Sequence, residues 1–141
     1  MQLSTLPAAG RSSDRMPTRA ASTTAYQQGA VLSATPSELV VALYDGARRF
    51  LRQATIAMGE RNIERAHFSL RRVELIIAYL DGILDDEQGE IPARLHAIYL
   101  FSLSHLNAAR MTQDPQKLEE VSDLLGELRE SWGQIAEAEH G

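Results

Sequence analysis

The chain has no cysteine, which excludes a disulfide framework, a thiol nucleophile and thiolate metal ligands, and suits a reducing compartment. It has no uninterrupted apolar run near the roughly 20 residues that span a bilayer, and its N-terminus lacks the apolar stretch of about 7 to 15 residues that marks a signal peptide. The expectation is therefore a cytosolic protein with no membrane insertion. Formal net charge is −5; the first 24 residues hold three arginines against one acid, so residues 25–141 carry 11 basic and 18 acidic groups, net −7. That balance repels phosphate backbones, no basic stripe with interleaved aromatics is legible, and nucleic acid is not an expected partner. No G-x-S-x-G, Gly-rich phosphate loop or H-E-x-x-H occurs, so no catalytic residue and no cofactor is assigned.

What remains is an ordinary globular mixture, 44% hydrophobic and 23% charged over 141 residues, enough for one domain with a core. Residues 1–24 are rich in Ser, Thr, Ala and Arg without helical or strand periodicity and read as a disordered tail. Residues 25–34 form a short, mildly apolar lead-in that could lie against the domain. From Thr35 the pattern is helical. Thr35, Pro36 and Glu38 have the spacing of an N-cap, a first helical position and a capping box, and open a helix over 36–58 with the stripe Leu39, Leu43, Ala47, Phe50, Ala54 and Ala57. A second helix over 63–85 carries Ile63, Ala66, Leu70, Val73, Ile77, Leu80 and Leu84, and stops in the run Asp85, Asp86, Glu87. A third over 91–112 carries Leu95, Ile98, Tyr99, Ser102, Leu106 and Ala109. Asp114 and Pro115 start a fourth over 115–137, with Leu118, Val121, Leu125, Leu128, Trp132 and Ile135. Short connections between helices of about 20 residues force antiparallel neighbours, because a few residues cannot carry the chain back along roughly 30 Å. The expected fold is an all-α, up-down-up-down four-helix bundle over 35–138.

A bundle helix needs one apolar arc. Helix 4 has one, with polar residues behind it. Helix 2 has a surplus: Phe68, Leu75, Ile76, Tyr79 and Ile83 project about half a turn from the Leu70 and Ile77 stripe, at about 100° per residue. Helix 3 shows the habit more weakly, at Leu100, Phe101 and Met111. Either helix 2 is central and the lead-in covers its second face, or that face takes another polypeptide, and both hold if the cover is displaceable. Burying five such side chains gives on the order of 8 kcal/mol before the cost of ordering a flexible guest. Tyr26, in the lead-in and outside any regular helix, is the first candidate for a functional contact.

Other constellations are weaker. Glu-x-x-His occurs at Glu64 to His67 and at Glu137 to His140, and bundles can hold di-iron sites built on two such pairs. The topology puts them at opposite ends, so a metal-binding bundle is the alternative rather than the leading reading. His96 and His105 fall off the core line, and Asp85 to Glu87 lack the alternation of a calcium loop. Tyr44 and Tyr99 each bury a ring and leave a hydroxyl in need of a partner.

In order and spacing, the chain resembles the flagellar secretion chaperone FliS family. The matching residues are Ala25-Tyr26; Ala34 to Leu39 running into Leu43-Tyr44-Asp45-Gly46-Ala47; Ile76-Ile77 with Leu80 and Leu84; Gly89-Glu90-Ile91; Leu95 with Tyr99; and Glu119-Glu120-Val121 leading to Leu125, Leu128, Arg129 and Trp132. It departs from the family pattern at Leu100, where an acid is common, and at Arg110. The resemblance implies a cytosolic chaperone that binds the disordered C-terminal segment of flagellin, prevents premature polymerisation and aids delivery to a flagellar export gate component. It implies that the segment holding Tyr26 shields part of the surface until it is occupied. The expected partner-binding residues are Tyr26, Phe68, Leu75, Ile76, Tyr79, Ile83, Leu100 and Phe101; a homodimer burying the helix 2 surface is also possible in principle.

Overall fold

A computed structural model describes residues 34–84 and 88–140 of the chain. Among them are the helices α1 (Pro36–Gly59), α2 (Ile63–Gly82), α3 (Glu90–Thr112) and α4 (Pro115–His140), and no strand. The proposed tail, most of the lead-in with Tyr26, and the acidic turn Asp85 to Glu87 lie outside the described residues.

The helix ends follow from local chemistry. Pro36 suits a first helical position, where its missing N–H loses no bond. After Gly59 the chain places Arg61 in the left-handed region (φ 59°); the Arg61 N–H donates to the Met58 carbonyl at 3.0 Å and the Asn62 N–H reaches back to the Ala57 carbonyl at 2.8 Å. These two bonds are a Schellman closure. Asn62 then caps α2, its side-chain oxygen accepting from the Arg65 N–H at 3.1 Å. The α3–α4 turn repeats the device with Gln113 at φ 52° and the Asp114 N–H donating to the Ala109 carbonyl at 3.1 Å, while Asp114 Oδ1 accepts from the Gln116 N–H at 3.0 Å. α2 ends at Gly82, earlier than the acidic run where the sequence pattern puts its stop.

Cross-helix bonds fix the directions. Along α1 the partners rise as those on α4 fall: Ser37 with Glu139, Asp45 with Arg129, Arg48 with Ser122. Asp81 meets His96 and Glu74 meets Arg110 between α2 and α3, and His105 meets Glu120 between α3 and α4. Each helix therefore runs antiparallel to its neighbours in an up-down-up-down, all-α bundle. α1 packs more closely against α2 and α4 than α3 does, because Gly46, Ala47, Ala54 and Ala57 let backbones approach.

The core line of α2 is buried from Ala66 through Leu70, Val73 and Ile77 to Leu80 as its periodicity predicts, but Ile63, expected on the same line, is 64% exposed because it opens the helix at the bundle end, and Leu84 is half-buried. α1 requires a correction. Its buried line is Val40, Tyr44, Ala47, Leu51, Ala54 and Met58, whereas Leu39 is 39% exposed and Leu43 and Phe50 are half-buried. Apolar residues crowd the first turns of α1 on every side, so spacing alone does not choose between adjacent lines. In α4 the line passes from Leu125 to Ala136, and Ile135 turns outward.

Tyr44 and Tyr99 cross the bundle centre from α1 to α3, their hydroxyls 2.5 Å apart and both rings buried. Each supplies the partner the other's hydroxyl requires. Burial raises both pKa values above the ordinary 10.0, and for Tyr99 the bond to Tyr44 raises it further. A folded pKa above the unfolded one stabilises fully below the unfolded value, and that stability disappears as pH climbs through the folded value.

Tyr44→Phe should cost about 1–3 kcal/mol by leaving the Tyr99 hydroxyl buried and unpaired, and adding Tyr99→Phe should recover part of that loss. Above pH 10 the wild type should lose stability with pH more steeply than this double variant, as urea melts across that range will read. Arg61→Gly should stabilise the fold by about 0.5 kcal/mol, because relief of the left-handed conformation exceeds the added entropy of an unfolded glycine.

Candidate partner-binding surface

On α2, steps of seven and four residues put Phe68, Leu75, Tyr79 and Ile83 on one outer arc, and their exposures are 54%, 48%, 61% and 49%. Ile76 is only half-buried and packs against the core. These side chains form a row on the α2 exterior, with the Arg72 guanidinium 4.8 Å above the Phe68 ring.

The two flanks of α2 differ in what they touch. Ile76 Cδ1 lies 3.8 Å from where a Cβ on Gly46 of α1 would stand. On the opposite flank Asp81 bonds His96 at 2.6 Å and Glu74 bonds Arg110 at 2.7 Å. The sequence pattern places Glu74 and Asp81 in a solvated sector; instead they clasp α3. The apolar row therefore continues toward α1, and the register that pairs Gly46 with Ile76 sets the exposed Leu39 level with Ile83. Leu39 belongs to this surface rather than to the core.

Leu100 and Phe101 do not join it. Both are about half exposed, but the Phe101 ring stacks on His105 with centroids 4.9 Å apart, and His105 Nε2 bonds Glu120 of α4 at 2.5 Å. Phe101 thus leans toward α4, and the polar α2–α3 seam separates it from the α2 row. Leu100 and Met111 stand on the outer face of α3, Met111 at 77% exposure. The eight expected residues fall into one contiguous group on α2, a separate pair on α3, and Tyr26 outside the described residues.

Sequence reasoning missed a cavity at one end of the bundle. About 560 Å³ in volume, it is lined by Pro36, Val40, Leu80, Ile83, Leu95 and Trp132, among others. It lies where the start of α1, the end of α2 and the start of α3 meet Trp132 of α4. Ile83 lines this cavity as well as ending the α2 row, so groove and cavity are continuous.

Glu64 and His67 are both exposed at the start of α2, and Glu137 is exposed near the end of α4. Among the described residues no three His, Asp or Glu side chains converge as a metal site would require. No helix among them is long and apolar enough to cross a membrane. The surface offers apolar contact area and no reactive group.

Comparison with known proteins agrees with this character. Residues 18–139 match the family model described as "Flagellar protein FliS". The flagellar secretion chaperone FliS of Bacillus subtilis is 34% identical over 116 residues, covering 82% of this chain and 86% of that protein. The flagellar secretion chaperone FliS of Salmonella typhimurium is 32% identical over 111 residues (77% and 82%), and the flagellar secretion chaperone FliSB of Pseudomonas aeruginosa is 32% identical over 116 residues (79% and 92%).

Because Tyr79 is exposed and Ile77 fully buried, Tyr79→Asp should change stability by no more than about 0.5 kcal/mol while Ile77→Asp should abolish cooperative folding. Thermal melts followed by circular dichroism separate the two.

Proposed function

This chain belongs to the FliS family of flagellar proteins, and on that premise we propose that it is a cytosolic export chaperone for flagellin. It holds flagellin's disordered C-terminal segment, prevents premature polymerisation and aids its delivery to a flagellar export gate component. The observation that carries the reading is the row of large apolar side chains on α2, with Leu39 beside it and the end cavity beyond Ile83. A contiguous apolar surface on an otherwise well-packed bundle marks a place for a partner.

The binding mode is an amphipathic segment laid into a groove, its apolar anchors on Leu75, Ile76, Tyr79 and Ile83 and one large side chain entering the end cavity. Such a guest loses much of the gross burial energy to its own ordering, and the outcome is a complex tight enough to protect and loose enough to release. Leu100 and Phe101 would meet the guest only if it continues around α3, a second stretch of the same chain. Tyr26 is outside the described residues, and its part as a contact rests on the family resemblance. The work is binding, and the reading includes no catalytic step.

Titration of the full chain with a flagellin C-terminal peptide in a calorimeter should show association with a negative heat-capacity change. Tyr79→Asp should weaken it by about tenfold or more, the loss expected when a charge enters a dry apolar contact. Absence of heat together with an unshifted elution on a sizing column would remove the proposal.

A further inference from the structure

Charge is distributed unevenly along this chain. Residues 46–72 hold seven arginines against two glutamates, net +5 where the whole chain is −5, which leaves −10 for the remainder. The fold keeps the segment together, because it is the second half of α1, the turn, and the first half of α2, antiparallel neighbours. Averaging over residues 25–141 hides it. Arg71 pairs with Glu74, Arg48 donates to Ser122, and Arg72 covers Phe68. Arg49, Arg52, Arg61 and Arg65 are exposed, and no ion pair among the described residues involves them. Interleaved with them are large exposed apolar side chains, Ile56 at 55%, Ile63 at 64% and Phe68 at 54%.

Unpaired like charges gathered at one end repel each other and add nothing to the fold. Arginine beside exposed apolar groups is the composition of a recognition surface. We propose that the α1–α2 turn end docks an acidic polypeptide segment that carries apolar side chains. This contact uses none of the guest anchors Leu75, Ile76, Tyr79 and Ile83, and Phe68 marks the border between the two. The acids pair with Arg49 and Arg65, and the apolar groups cover Ile56, which stands two turns from Arg49 on the same face of α1. A polypeptide fits better than a nucleic acid for two reasons. The patch is short and bordered by bundle residues (36–45 and 73–141) of net −12 that would repel a long polyanion, and its exposed aromatic, Phe68, is already covered by Arg72 while Phe50 is half-buried, so neither offers a free face for a base.

Fluorescence anisotropy of a labelled short peptide of alternating glutamate and leucine pairs, and of a labelled uridylate oligomer of the same charge, tests this on the full chain at low salt. Arg49→Glu/Arg65→Glu is compared with Arg94→Glu/Lys117→Glu, which makes the same change in formal charge on α3 and α4. The expected result is peptide binding that the patch variant weakens about tenfold or more and the control variant leaves within about twofold, with the uridylate oligomer bound no more tightly. Equal losses in the two variants, no peptide binding, or tighter binding of the uridylate oligomer would each overturn the proposal. Should the patch variant lose helicity, Arg49→Gln/Arg65→Gln is read by the same criteria.

Discussion

A helix in a four-helix bundle can hide one arc of its circumference, and α2 carries large apolar side chains on two. Leu70, Val73, Ile77 and Leu80 occupy the first and are sealed by the other helices. Phe68, Leu75, Tyr79 and Ile83 occupy the second, and none of the long helices covers them. Turning α2 to bury the second set would expose the first, so rotation offers no escape. The excess is a property of the amino-acid order itself, and only something that lies on the outside of the bundle relieves it.

The polar contacts decide how that excess is arranged. Glu74 and Asp81 draw the other flank of α2 against α3 through Arg110 and His96, which tilts the apolar row toward α1. The close fit of Ile76 over Gly46 then joins the row to Leu39. At the centre, the Tyr44–Tyr99 bond links α1 to α3 and gives the buried Tyr99 hydroxyl its partner, while Trp132 of α4 also bonds Tyr44. At one bundle end a cavity opens beside Ile83. One groove results, bounded by α1 and α2 and deepening at the end where Trp132 lies.

Periodicity made the topology legible because each helix carries a run of apolar residues in steps of three and four and the connections between them are short. In α1 it misled by one residue: Leu39 and Val40 sit side by side, both apolar, and only packing against α2 and α4 decides which is inside. The surplus on α2 was readable from the wheel, yet the direction it leans was not, since that depends on Glu74 and Asp81 finding bases far along the chain. The requirement for a hydroxyl partner at Tyr44 and Tyr99 was visible in each residue alone, whereas their pairing with each other needed the fold. The end cavity was invisible to a stripe-by-stripe reading, because its walls come from all four helices at once. The arginine cluster was in plain view in the sequence and was lost to averaging.

The central claim is that the outer face of α2, and not the similarly apolar but isolated positions on α3, receives the guest chain. Photo-crosslinking tests it directly: a benzoylphenylalanine is placed at Leu75, at Tyr79 or at Met111, and each full-length variant is irradiated with the flagellin C-terminal segment. All three positions are exposed, so accessibility alone does not favour any of them. Adducts from positions 75 and 79 with none from 111 are the result this account requires; adducts from 111 without any from 75 or 79 would contradict it.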